Sequence, residues 1–292
     1  MATRLGSNTI DLNYGNNSVG GDTNAPLYRL SGNAFFPFTN RIINGDFTVN
    51  QRNPGIPQTY NINNTTSGHF PHDRWYAQGS HATKFSASII ADGPVVNTTY
   101  SNNWTGAPSV SYPPRTFKNC VELKSLAATT LGISDFFNYT HAIEGRHIMD
   151  MDFGNAGAGN GASSNRVFIF SFYVKASIAG NYHIRFVNSA ATRVWKSTYT
   201  VNSANTWERK ALIVPVDQTG TWLNTTEVGL RIVFSLGLGS NYIGGTAGTS
   251  SSGWTAETTA GPSGSVVHLV NTLNATLRLT GIQLEYIGIP PT

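Results

Sequence analysis

Arg166-Val167-Phe168-Ile169-Phe170-Ser171-Phe172-Tyr173-Val174-Lys175 is the stretch that decides the fold class. Most of its residues are β-branched or aromatic, and neither Gly nor Pro interrupts it. The run is too short for a helix of this apolarity and reads as a strand. Its nearly continuous apolar character predicts a central strand buried on both faces.

The same reading extends outward in both directions. Downstream, residues 182–187, 194–201 and 207–214 read as strands. They are separated by Ala179-Gly180-Asn181, Asn188-Ser189 and Asn202-Ser203-Ala204-Asn205, whose Gly, Asn and Ser favour turns. Residues 228–236, 266–270 and 276–286 add further strand-like runs. Upstream, 84–89 and 120–126 alternate with period two, and 42–49 is strand-like around an Asn44-Gly45 turn or bulge. One stretch, 133–143, has helical character, with Ser134 as a cap and Gly145 as a stop. Two long turn-rich segments, 94–116 and 237–264, are candidate contact loops. Many short strands with regular turns predict an all-β fold, a jelly-roll-like β-sandwich over residues 35–292. Residues 1–34 are polar and aperiodic and cannot fold alone; they read as an extended N-terminal arm, either ordered by docking on a neighbouring subunit or a frayed terminus.

Charged residues are 12% of the 292, about half the usual share. Asn, Gly, Ser and Thr replace them, giving a neutral surface of amides and hydroxyls. The net charge of +4 is spread along the chain, and no basic run marks a nucleic-acid site. The single cysteine, Cys120, excludes an internal disulfide and sits in a strand-like alternation as a small core residue. No apolar run approaches a membrane span, and residues 1–8 lack the apolar segment of a signal peptide. The expectation is a protein made in the cytoplasm and not exported by the usual route.

Three ordered clusters bear a resemblance. The first is Asn40-Arg41-Ile42-Ile43-Asn44-Gly45-Asp46-Phe47 with Gln51-Arg52 and Asp73-Arg74-Trp75. The second is Ile143-Glu144-Gly145, Phe170-Ser171-Phe172-Tyr173-Val174-Lys175-Ala176 and Gly180-Asn181-Tyr182. The third runs from Asn205-Thr206-Trp207-Glu208 through Thr219-Gly220-Thr221-Trp222 and Trp254 to Leu279-Thr280-Gly281-Ile282-Gln283-Leu284-Glu285. In this order, over about residues 38–288, the chain resembles phage tail-fibre-like virion structural proteins often described as carbohydrate-binding-module-like. The resemblance implies a phage particle protein with a jelly-roll-like domain at the host surface. It brings no established set of functional residues.

Candidate sites are therefore read from residue chemistry. Sugar C–H faces pack on exposed aromatic rings, while Asn, Gln and Arg bind hydroxyls. Trp104, Tyr242 and Trp254 lie among small polar residues in the long loops and are the carbohydrate-binding candidates. The plainer reading of each is a ring buried under its own loop or in a subunit interface. In Asp73-Arg74-Trp75, read as strand, Trp75 enters the core and Arg74 meets a carboxylate of another strand. His69-Phe70-Pro71-His72-Asp73 holds two imidazoles but no second ligand cluster, so no metal site is assigned. Asp150 and Asp152 share a face if the segment is a strand, which makes them the calcium candidates. The glycine-rich run 154–161 does not open a helix, so it reads as a connection and not a phosphate cradle.

No nucleophile elbow, Walker or zinc-protease motif is present, and carboxylates are sparse. The expectation is a non-enzymatic virion subunit without cofactors: a tail fibre, knob or capsid-associated decoration protein. It would assemble in the host cytoplasm as a homotrimer, attach to other virion proteins through residues 1–34, and contact host glycans without nucleic acid or membrane insertion. The alternative is a depolymerase acting on surface polysaccharide, which needs two carboxylates at a defined separation.

Overall fold

The computed structural model describes residues 40–51, 60–61, 69–96, 99–100, 110–111, 115–154, 166–249, 253–256 and 259–288. They belong to one compact unit, Asn40–Thr292. The arm expected over residues 1–34 lies outside the described residues.

Among the described residues there are sixteen strands and no α-helix. The first eight are β1 (Tyr60–Asn61), β2 (His69–His72), β3 (Trp75–Gly79), β4 (Phe85–Ile90), β5 (Val95–Val96), β6 (Thr99–Tyr100), β7 (Val110–Ser111) and β8 (Arg115–Thr116). The rest are β9 (Cys120–Ser125), β10 (Phe136–Glu144), β11 (Val167–Ala176), β12 (Gly180–Asn188), β13 (Val194–Val201), β14 (Glu208–Pro215), β15 (Val228–Leu238) and β16 (Thr276–Gly288). One six-stranded sheet has the order β1-β4-β9-β16-β11-β14, and the other β13-β12-β15-β10-β3-β2. All their ladders are antiparallel. From β9 onward the chain passes repeatedly between the sheets, and its last strand closes the middle of the first sheet. This is a jelly-roll β-sandwich.

The core fills the space between the two inner faces. Phe168, Phe170 and Phe172 of β11 point inward with Val174 and are fully buried. They meet the second sheet edge to face: Phe170 on Phe186 at 5.3 Å, Phe172 on Tyr199 at 5.1 Å and on Phe234 at 5.2 Å. At the other end Trp75 stacks on Tyr139 at 5.1 Å. Cys120 is buried as expected, and burial pushes its thiol up to about 12.

Several sequence expectations are corrected. β11 lies one strand from the edge, between β16 and β14, and only one of its faces enters the core. Its outer face looks apolar because it has local cover: Tyr173 packs on Phe117 at 5.4 Å. The helical reading of 133–143 fails. Residues Phe136–Glu144 form β10, with Phe137, Tyr139 and Ile143 toward the core. Asn138 and Thr140 alternate to the opposite face, a period of two that only a packed sheet can use. Residues 42–49 form a turn and not a strand, with Asn44 and Phe47 at positive φ. Gly45 is required there, because a Cβ would lie 2.2 Å from the Ile282 carbonyl oxygen of β16. Residues 266–270 run into a 3-10 turn, Leu269–Asn271, that buries Leu269 and Val270.

Asp73 and Arg74 make the β2–β3 turn, not strand, with Arg74 at φ 69. Trp75 enters the core as expected, and Arg74 reaches Glu144 of β10 at 3.2 Å. The 94–116 segment is not simply loop: β5 pairs with β8 and β6 with β7.

Candidate functional site

The outward face of the second sheet carries the polar chemistry. Strand alternation sends every second residue there, and the register aligns them across the strands. One row runs Lys196, Arg185, Val233, Thr140, Tyr76 over β13, β12, β15, β10 and β3. The adjacent row carries Ser235, Asn138 and Gln78. On the other side lie Val187, Arg231 and Ala142.

The floor consists of short polar side chains. Asn138 and Ser235 are each 3% exposed, and Asn138 Oδ1 and Ser235 Oγ have no hydrogen-bond partner among the described residues. Such atoms normally find partners, because leaving them unpaired costs about 1–3 kcal/mol each. Taller, half-buried side chains stand around the floor. Tyr76 packs against Phe70 at 5.5 Å and lies in hydrogen-bonding reach of Thr140 and Arg231. Burial pushes the Tyr76 hydroxyl up, and the Arg231 charge opposes this. Arg231 Nη1 donates to the carbonyls of Asn188 at 3.2 Å and Ser189 at 2.8 Å. Burial draws Arg185 down to about 10, with Tyr76 and Tyr242 opposing and Arg231 reinforcing the shift.

The described parts of the 237–264 segment border this face. Its 3-10 turn Ser240–Tyr242 sets the Tyr242 ring edge-on to Phe136 at 5.9 Å. Ala260 and Gly261 N–H groups donate to the Tyr242 carbonyl at 2.7 and 3.0 Å. Farther along, Thr255 pairs with Val194, and Lys196 Nζ donates to Thr259 Oγ1. Gly261 lies flat on the His183 imidazole, where a Cβ would come within 2.5 Å of the ring. Burial holds His183 down to about 4.

Of the two aromatic candidates among the described residues, Tyr242 is brought to this face and Trp254 is not. Trp104 lies outside the described residues. Trp254 belongs to a separate aromatic corner. Its ring meets Trp222 edge-on at 5.1 Å, and its Nε1 donates to the Pro215 carbonyl at 2.6 Å. Beneath it Arg193 grips Asp217 through two bonds, 2.6 and 2.8 Å, and also donates to the Trp254 carbonyl at 3.2 Å. Trp254→Ala is therefore expected to lower stability by about 2 kcal/mol in urea unfolding, through lost packing and one lost buried bond.

The calcium candidates are also relocated. Residues Met149–Met151 form a 3-10 turn, so Asp150 and Asp152 do not share a strand face. Asp150 pairs with Arg41, and Asp152 with Arg166 at 2.7 Å, so both carboxylates are already neutralised. Among the described residues no group of three or more His, Cys, Asp or Glu is placed to hold a metal.

Tyr76, Asn138, Arg185, Arg231 and Ser235 were not singled out from sequence. Their signal is the polar partner set within alternating strands, Tyr76-x-Gln78, Asn138-x-Thr140, Arg231-x-x-x-Ser235, which looks like any solvated face. Only the register places them side by side.

Fold and face together define a jelly-roll sandwich with a polar, aromatic-rimmed sheet surface. No protein-family model matches the chain, and no curated protein does. Among solved structures it is similar to the enzymatically active domain of bacteriophage CBA120 tailspike protein 4, at 12% identity and TM-score 0.36. That match covers 77% of this chain and 22% of the tailspike chain, so the chain spans under a quarter of that relative. It is also similar to the carbohydrate-binding module TmCBM61 in complex with β-1,4-galactotriose, at 9% identity and TM-score 0.34, over 84% of this chain and 97% of that one. A family 11 carbohydrate-binding module from Clostridium thermocellum matches at 10% identity and TM-score 0.27, over 82% and 99%. Likenesses at these scores carry no functional weight, and the sandwich stands on its own strand pairing.

Proposed function

We propose that this protein is a non-enzymatic, glycan-binding structural subunit of a bacteriophage particle, and that the outward face of its second sheet is the binding surface. The observation that carries this reading is the pairing of half-buried rings, Tyr76 and Tyr242, with the buried, unpartnered Asn138 Oδ1 and Ser235 Oγ. Rings offer a platform for sugar C–H faces, and the unpartnered oxygens suit sugar hydroxyls. The ordered motif clusters and the charge-poor surface support the phage setting, as a tail fibre, knob or decoration subunit. Assembly as a homotrimer and attachment through residues 1–34 belong to the same proposal.

Binding is favoured over cleavage by the disposition of the carboxylates. The rows at the centre of this face hold none. Elsewhere Asp92, Glu122, Glu144, Asp150, Asp152, Glu208 and Asp217 are each paired with a cation.

A glycan array and affinity electrophoresis with host surface polysaccharide test the reading. The full-length protein is expected to bind, and Tyr242→Ala to weaken binding about tenfold, the loss of one stacked ring face. Failure to bind any host glycan would remove the proposal. Release of reducing ends from the same polysaccharide would replace it with the depolymerase.

A further inference from the structure

We infer that this face selects an acidic saccharide, with Arg185 as the group that meets the ligand's carboxylate or sulfate. This rests on the glycan-binding reading above and adds the ligand's charge to it.

The argument starts from how arginines are used elsewhere in the protein. Arg41, Arg166, Arg193 and Arg278 each meet a carboxylate. Arg231 has no carboxylate among the described residues, but the Asn188 and Ser189 carbonyls hold it in place. Arg185 differs from all of these. Among the described residues, the groups within its electrostatic reach are Tyr76, Tyr242, Arg231 and His183, and none is an acid.

Its register neighbours are not acids. Across the sheet it faces Lys196 on one side and Val233 on the other. A half-buried guanidinium with the Arg231 charge in reach and no acid beside it among the described residues is unfavourable, because burial penalises the charge. An anionic ligand removes that penalty on binding, and a guanidinium matches a carboxylate or sulfate through paired N–H donors.

A second observation places a sugar around the anion. Asn138 Oδ1 and Ser235 Oγ, next to the Arg185 row, are buried and have no partner among the described residues. Asn138 Oδ1 can only accept, which suits a hydroxyl donor and not an anion. The face therefore offers a cation and a hydroxyl acceptor side by side, with Tyr76 and Tyr242 as flanking rings. Uronates and sulfated sugars present both kinds of group.

The test uses the full-length chain and two matched pairs of polymers: polygalacturonate against its highly methyl-esterified form, and dextran sulfate against dextran. Each pair keeps the backbone and changes the charge, and the two pairs separate carboxylate from sulfate. The expected result is retention of at least one acidic polymer, with its neutral partner bound at least tenfold more weakly. Arg185→Gln is expected to weaken acidic binding about 10- to 100-fold, the range for a charged hydrogen-bonded contact. Arg185→Lys is expected to recover part of it. Raising salt from about 50 mM to about 500 mM should weaken acidic binding in the unaltered protein, a check that needs no variant. Equal binding of acidic and neutral partners would overturn the inference and leave the glycan-binding proposal standing. So would acidic binding that Arg185→Gln leaves unchanged, since the chain's net charge of +4 would then account for it. Failure to bind these polymers or any host glycan would overturn both.

Discussion

Taking the protein from pH 7 to pH 5 is expected to cost about 6 kcal/mol of folding stability, through three buried imidazoles. His72, His141 and His183 are each at most 2% exposed. Burial lowers them to about 4, about 3 and about 4, from an ordinary 6.5. Neighbouring charge adds to burial at two of them, Arg74 beside His141 and His268 beside His183. The sign follows from proton uptake. Above pH 6.5 folded and unfolded states both hold neutral imidazoles. As pH falls below 6.5 the unfolded chain takes up protons that the folded chain refuses until about pH 4. Each histidine then costs about 1.4 kcal/mol per pH unit, so three cost about 4. Acid groups held below their ordinary values lose stability mainly at lower pH. Glu144, for example, is held by its bond to Arg74 below its usual 4.5.

A loss of this size approaches the whole stability of an ordinary domain. Urea unfolding at pH 7, 6 and 5 measures it, and His141→Gln should reduce the slope by about a third. An unchanged unfolding midpoint between pH 7 and 5 would show that these imidazoles are protonated in the fold, contrary to their surroundings.

Trp75→Ala is expected to destabilise the sandwich by about 3–5 kcal/mol and lower Tm by about 10 °C. Trp75 is fully buried and stacked on Tyr139 at an interplanar angle of 7°. It also touches Phe47 at 5.4 Å and His141 at 4.7 Å, and its Nε1 donates to the Asn44 carbonyl at 3.1 Å. Removing the indole opens a cavity between the sheets and unties the 42–49 turn from β3. Because His141 lies against the ring, the same change should let water reach that imidazole and soften the acid transition. Scanning calorimetry reads the first effect, and the pH series reads the second. A Tm within about 2 °C of the unaltered protein would contradict the packing described.

The candidate site was only partly legible before folding. Tyr242 stood out because a ring among Gly and Ser in a long loop is conspicuous, and the fold does bring it to the polar face. Trp254 carried the same signal but a different outcome, because its indole N–H and backbone carbonyl are both taken by neighbours 39 and 61 residues away. Nothing local to residue 254 predicts Pro215 or Arg193 as partners. Asp150 and Asp152 likewise looked like a pair because strand geometry was assumed, and a 3-10 turn sends them to separate arginines.

What the amino-acid order determined alone is the class of fold. Period-two alternation, β-branched and aromatic runs and Asn/Gly/Ser turns are local properties, and they marked β4, β9 and β11 through β16 close to their observed bounds. Tertiary structure decided the rest. It made β10 a strand against its helical character, because Phe137, Tyr139 and Ile143 gain a core only when the sheets close over them. It also created the polar face, since Arg185, Asn138, Ser235 and Tyr76 come from four strands far apart in the chain. Their meeting depends on register, which backbone pairing across the whole sheet sets and no single segment encodes.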